Sequence, residues 1–211
     1  MEKKLIIFDV DGVLLDNRMG GFKDILIISG KIDEVQRLDK IYQKRKHFSP
    51  WGLKELAKLY KGLSEEELRK MALNYCCETL RKGAKEVLER LKEKGYLMGA
   101  LSSNPQFVMD ALSKILPLDF SGGTRLKFKN GIATGGIQKK IDRYGKAKIL
   151  EKIIKNYRLK KKNVIVVGDS ITDLPMAEKA GAFIAFYPKE NIVKEKANKI
   201  VRNFPQLEKL L

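Results

Sequence analysis

The stretch "LIIFDVDGVLLD", Leu5 to Asp16, constrains the fold more than any other segment. Leu5 to Val10 is apolar almost throughout, as befits a strand buried on both faces. Its end carries two carboxylates, Asp9 and Asp11, followed by Gly12. Two anions this close repel, and burying them costs free energy unless a cation or hydrogen bonds compensate. The pattern therefore predicts a strand whose end is used for chemistry.

The rest of the chain supplies partners for that strand. "YLMGALSS", "NVIVVGDS" and "AFIAFY" read as further strands, and "RLKFKNGIATG" as a hairpin around Asn130–Gly131. Between them lie amphipathic helices, with Ala84, Val87, Leu88 and Leu91 on one face and Ile149, Leu150, Ile153, Ile154 and Tyr157 on another. Asn104 and Pro105 read as an N-cap followed by proline at the first helical position. Strands alternating with helices imply an α/β fold with a parallel sheet. Residues 20–81 interrupt this alternation: they are helical in pattern, with a capping box at Ser64 and Glu67, and read as a helical insertion. The expected boundaries are a core of residues 1–16 and 82–211 and an inserted helical cap of residues 17–81.

Composition removes several function classes. The 211 residues contain one histidine, His47, which excludes a multi-histidine metal centre. Cys76 and Cys77 are adjacent and read as packed thiols. No apolar run approaches the roughly 20 residues of a membrane span. The apolar part of "MEKKLIIF" is too short for a signal peptide, so a soluble cytoplasmic protein is expected. The formal charge of +17 favours anionic partners. Lys and Arg are nevertheless spread along the chain and interleaved with Glu, as in "KEVLERLKEKG". That is the pattern of solvated helix faces, so nucleic acid is not the expected partner, and a small phosphorylated molecule is.

Three polar clusters follow apolar strands: Asp9–Asp11, Ser102–Asn104, and Asp169–Asp173. In a parallel α/β sheet such strand ends converge on one crevice. With a lysine from "RYGKAKIL", Lys146 or Lys148, these groups suit phosphoryl transfer through an aspartate. Asp9 would attack phosphorus. Asp9 and Asp169 would hold Mg²⁺, with Asp173 as a direct ligand or one step behind. Lys146 would offset charge on phosphate and Asp9, and Ser102 with neighbouring backbone N–H groups would hold the phosphate oxygens. Asp11 would protonate the leaving alkoxide and then deprotonate the attacking water.

The segments "FDVDGVLLD", "LSSN", "GKAKIL" and "GDSITD" together resemble the haloacid dehalogenase superfamily, and its phosphoserine-phosphatase-like branch most closely. The resemblance implies a Rossmann-like core with a mobile helical cap, and a Mg²⁺-dependent phosphomonoesterase with an aspartyl-phosphate intermediate. It assigns the nucleophile to Asp9 and the acid/base to Asp11, whose backbone carbonyl also meets the metal. It assigns the phosphate contacts to Gly12, Ser102, Ser103 and Lys146, and further metal acids to Asp169 and Asp173. Arg18 stands where phosphoserine phosphatases carry an acid for the substrate ammonium, and Leu53 or Lys54 stands near the place of their carboxylate-binding arginine. Ser103 and Asn104 replace two usual glycines. These departures argue against phosphoserine itself and make Arg18, Trp51 and Lys54 the candidate specificity residues. A phosphomutase shares the aspartyl-phosphate and is the nearest alternative. A phospho-signalling receiver domain fits less well, given the helical insertion and the late GDSITD pair. A dehalogenase would leave Asp11, Lys146, Asp169 and Asp173 unexplained as a group.

Overall fold

The first strand, β1 (Leu5–Phe8), has no solvent exposure at any of its four residues, so it must be covered on both faces and paired on both edges. The computed structural model, which describes residues 3–17, 19–48, 50 and 52–211, shows both edges paired. In chain order, β1 is followed by four helices: α1 (Gly21–Ile28), α2 (Ile32–Arg45), α3 (Leu53–Leu59) and α4 (Glu65–Thr79). The chain then alternates through α5 (Ala84–Glu93), β2 (Leu97–Pro105), α6 (Gln106–Ile115), the hairpin β3 (Phe120–Lys129) and β4 (Ile132–Lys139), and α7 (Arg143–Asn156). It ends with β5 (Val164–Gly168), the short α8 (Leu174–Ala177), β6 (Ala182–Phe186), α9 (Asn191–Lys196), β7 (Lys199–Val201) and α10 (Phe204–Leu210).

Among the described residues seven strands form one sheet in the order β4-β3-β2-β1-β5-β6-β7. All neighbours are parallel except β3 and β4. Leu5 pairs with Leu97 on one side and with Val164 on the other. The chain order therefore reverses at β1, and the crevice beyond its carboxyl end is the switch point of the fold. Because β2, β1 and β5 are neighbours, Ser102, Asp9 and Asp169 arrive at one place despite their separation in sequence.

Two apolar clusters cover the sheet. One gathers Ile6, Phe8, Met98, Val108 and Leu112 together with Phe22, Leu26, Leu56, Tyr60, Leu68 and Tyr75 from the inserted helices. The other packs Leu5, Ile7, Val164 and Val166 against Leu150 and Met176. The insertion is thus built onto the same apolar cluster as one face of the sheet. Its α4 is also fastened to α6 by Arg69, which donates to Asp110 at 2.9 Å.

The hairpin joins the insertion as well. Asn130 and Gly131 both take positive φ, 50° and 75°, as a tight two-residue turn requires. The hairpin turn and the start of β4 bridge to the chain entering α4: Gly62 N–H donates to Ala133 O at 2.9 Å and Glu65 N–H, at the first residue of α4, to Gly131 O at 2.8 Å.

One local expectation is corrected. Asn104 does not cap α6; the strand runs through Pro105 and the helix begins at Gln106. Proline disfavours helical backbone in the residue before it, which keeps Asn104 extended and leaves its side chain for another task. Among the described residues no helix is long and apolar enough to cross a membrane.

Candidate active site

Asp9 lies one residue beyond β1, and its N–H donates to Val167 O at 2.8 Å, continuing the pairing with β5. Its side chain is buried. Beyond the end of β5, Asp169 enters the same crevice. Asp173 follows one turn later and is fully buried. Oxygens of Asp9, Asp169 and Asp173 all lie within 4.8 Å of one another.

Lys146 completes this cluster. Asp142 caps α7 by accepting from Tyr144 N–H and Gly145 N–H at 3.1 and 2.9 Å. The capped helix then delivers Lys146 inward, where its ammonium donates to Asp9 Oδ1 at 3.0 Å and to Asp173 Oδ1 at 2.6 Å. Lys148 is exposed. Of the two candidate lysines, the geometry therefore puts Lys146 in the crevice. The second oxygen of Asp173 accepts from the backbone N–H groups of Asp169 and Ser170 at 3.1 and 3.2 Å, fixing the turn that presents Asp169.

The cluster is electrostatically unbalanced. Burial, then the charge of Asp173, pushes the Asp9 carboxyl well above the usual carboxylate range, and Lys146 offsets only part of this. Burial and Asp173 likewise push Asp169 up to about 7. Burial works to lower Lys146, but the carboxylates of Asp173 and Asp9 outweigh it and hold the ammonium charged. Three carboxylates face one ammonium, so fully ionised the cluster lacks positive charge.

This donor set fits a hard divalent cation: all ligand atoms are oxygen, clustered closely enough to share an ion. Gly12 is shaped to the same end. Its φ is +78°, and a Cβ there would stand 2.2 Å from Asp169 Oδ2. Only glycine leaves that carboxylate its place.

Asp11 occupies a different wall. Its Oδ1 accepts from Gly21 N–H at 3.0 Å, from the Asn104 amide at 3.0 Å and from the Asn17 amide. Asn104 also accepts from Phe22 N–H at 2.8 Å, so one side chain ties the end of β2 to both Asp11 and α1. Ser102 is buried, with its hydroxyl accepting from Asn104 N–H at 3.1 Å.

These groups open onto one cavity of about 400 Å³, lined by Asp9, Asp11, Gly12, Ser102, Ser103 and Lys146 among others. From the insertion, Lys23, Asp39, Tyr42 and Leu53 also line it. Lys23 is ion-paired with Asp39 and lies 4.6 Å from the centre of the Tyr42 ring. Leu53 faces the cavity, whereas the expected specificity residue Lys54 is exposed and outside its lining. Arg18 and Trp51 lie outside the described residues.

Sequence reasoning did not find Asn17, Lys23 and Asp39, and it misassigned Asn104. Helical periodicity marks Lys23 and Asp39 as polar positions, but nothing in the sequence shows that the polar faces of α1 and α2 meet over a cavity.

Fold and site together define an acid-lined crevice at the switch point of a doubly wound sheet. A family model described as haloacid dehalogenase-like hydrolase matches residues 3–181, and the chain belongs to that family. Within the family it is similar to phosphoserine phosphatases. It is 32% identical over 198 residues to the phosphoserine phosphatase of Methanocaldococcus jannaschii, covering 93% of this chain and 91% of that protein. It is 35% identical over 190 residues to that of Archaeoglobus fulgidus, covering 90% of this chain but only 54% of that longer protein. A solved structure described as a phospho-aspartyl intermediate analogue of phosphoserine phosphatase superposes with a TM-score of 0.85 at 30% identity, with 100% of both chains covered. A substrate-bound phosphoserine phosphatase complex gives 0.82 at 28% identity, covering 100% of this chain and 99% of that one.

Proposed function

We propose that this protein is a Mg²⁺-dependent phosphomonoesterase that hydrolyses a small phosphorylated metabolite through a phosphorylated Asp9. The observation that carries the reading is the buried junction of Asp9, Lys146, Asp169 and Asp173 at the end of β1, with Asp11 across the same cavity.

Asp9, Asp169 and the backbone carbonyl of Asp11 would hold the metal, with Asp173 beside or behind them. When bound, Mg²⁺ supplies the charge that lets a carboxylate approach a phosphate dianion. An oxygen of Asp9 attacks phosphorus and the P–O bond to the leaving group breaks. Asp11, protonated at this stage, gives its proton to the departing alkoxide. The Asp11 carboxylate then takes a proton from water, whose oxygen attacks phosphorus. The Asp9–phosphorus bond breaks, inorganic phosphate leaves and the nucleophile is restored. Throughout, Lys146 holds Asp9 in place by a 3.0 Å hydrogen bond, while Ser102 and Ser103 receive the phosphate oxygens; the Gly12 N–H is already committed to Leu15 O at 2.9 Å and leaves that task to them.

Residues 17–81 act as a cap over this chemistry and supply the wall for the leaving group. The departures at Arg18 and Leu53 count against phosphoserine, whereas the paired Lys23 and Asp39 offer both signs of charge inside the same cavity. A zwitterionic leaving group such as serine can use both, so phosphoserine, the substrate in the names of the relatives, heads the candidates. The test is phosphate release from a panel of phosphate esters, phosphoserine included, with and without Mg²⁺. Release of phosphate that needs Mg²⁺ and is absent in Asp9→Asn supports the reading; no release from any ester, or release that Asp9→Asn retains, overturns it.

A further inference from the structure

Asp11 is held by more than its own loop. The Asn17 amide nitrogen carries two hydrogens: one goes to Asp11 Oδ1 and the other to the hydroxyl of Tyr75, 2.9 Å away. The Tyr75 hydroxyl in turn donates to Asp24 Oδ2 at 3.0 Å. The directions are forced. Tyr75 accepts from Asn17, so its single hydrogen is committed to Asp24, which must accept.

The chain of bonds spans three separate elements and rests on a fixed support. Tyr75 is buried on α4, and α4 is fastened to α6 through Arg69 and Asp110, and through Cys76 Sγ, 3.7 Å from Val108 O. Burial also pushes the Tyr75 phenol well above its usual range, so the hydroxyl keeps its hydrogen. A buried tyrosine needs a partner for its hydroxyl, and any polar atom would serve. Here the hydroxyl is instead placed so that the bonds beyond it end on the oxygen of Asp11 that also accepts from Gly21 and Asn104.

We propose that Tyr75 and Asp24 are positioning residues for the reaction: through Asn17 they set the orientation of the Asp11 carboxyl toward the ester oxygen of the substrate. The inference rests on Asp11 as the acid/base of the proposed phosphatase. With Tyr75→Phe the ring volume is kept, but one Asn17 N–H loses its acceptor, the amide is released, and Asp11 loses a fixed donor.

The test compares kcat/KM, which covers the steps up to departure of the alcohol, for two esters. Departure of an alkoxide needs a proton, whereas p-nitrophenolate leaves without one. For Tyr75→Phe, kcat/KM is expected to fall about tenfold on phosphoserine, a part of the roughly 10²–10⁴-fold that general acid catalysis supplies. On p-nitrophenyl phosphate it is expected to fall no more than about twofold by the same reasoning. Asp24→Ala should give the same split, and carries the test if Tyr75→Phe does not fold. Equal falls on both esters, or no change on either, would overturn the inference and leave the phosphatase reading standing. A wild-type protein that releases phosphate from neither ester, with Mg²⁺ present, overturns both.

Discussion

The ammonium of Lys146 stands 2.6 Å from Asp173 Oδ1, with both side chains shielded from water. The same ammonium bonds Asp9 at 3.0 Å, so one buried cation separates two buried anions. Removing one partner of such a pair leaves uncompensated charge in the interior. Lys146→Met should therefore lower unfolding stability by roughly 3–5 kcal/mol, read by chemical denaturation. It should also abolish turnover. A stability within about 1 kcal/mol of wild type would mean that the acids at this site are already neutralised by other means.

Asp169 gives the site a pH signature. Its carboxyl is raised to about 7 in the folded protein, chiefly by burial, against about 3.9 for an ordinary aspartate. Between those values the folded state holds a proton that the unfolded state releases. Raising the pH across this window must therefore destabilise the metal-free protein. Melting in EDTA should show a temperature that falls from pH 5 to pH 7.5 more steeply in wild type than in Asp169→Asn. Mg²⁺ should restore stability at the upper end and do little at the lower, where the proton competes for the same oxygens. Parallel pH profiles for the two proteins would contradict this assignment.

Gly12 answers to two constraints at once, a φ of +78° and a Cβ position 2.2 Å from Asp169 Oδ2. Gly12→Ala must displace that carboxylate or the loop. The expected outcome is a folded protein whose turnover falls by about 100-fold, the scale of an ångström-level misplacement in an active site. Mg²⁺ titration followed by calorimetry should show weakened binding. Unchanged affinity would separate Gly12 from the metal.

Lys46, just past the end of α2, pairs with Glu190 at 3.1 Å, and Glu190 also accepts from Ile171 N–H at 3.1 Å. Arg143 adds a bond to the backbone carbonyl of Lys46. The pair is partly exposed, so Glu190→Gln should change stability by less than about 1 kcal/mol. Its effect should fall on KM, because α2 supplies Tyr42 and Asp39 to the cavity wall. Steady-state kinetics showing a raised KM with kcat within about twofold would fit a contact that only steadies α2 against the Glu190 loop. A lost kcat with unchanged KM would not.

Much of this was readable from residues alone. The strand before Asp9 announced itself because a central parallel strand is apolar on both faces. The hairpin showed itself through Asn130–Gly131, since few other pairs accept two positive φ values. Convergence of three strand ends followed from the parallel sheet, whose topology makes them neighbours. The contents of the cavity wall did not follow. Lys23 meets Asp39 only because α1 and α2 fold back on each other, and Tyr75 reaches Asn17 across 58 residues. Such contacts depend on helix packing angles, which periodicity does not encode. Asn104 was misread for a related reason: Asn before Pro signals a helix start locally, and only the strand pairing through Pro105 reveals that the side chain is turned toward Asp11.

The central claim is that Asp9 carries the phosphoryl group, and it can be tested directly. The protein is mixed with a hydrolysed ester and Mg²⁺, quenched in acid within milliseconds, digested and mapped by mass spectrometry. One phosphoryl group is expected on the peptide containing Asp9, labile to hydroxylamine and absent from Asp9→Asn. Turnover with no trapped phosphate under any quench time, or a phosphoryl group on another residue, would contradict it.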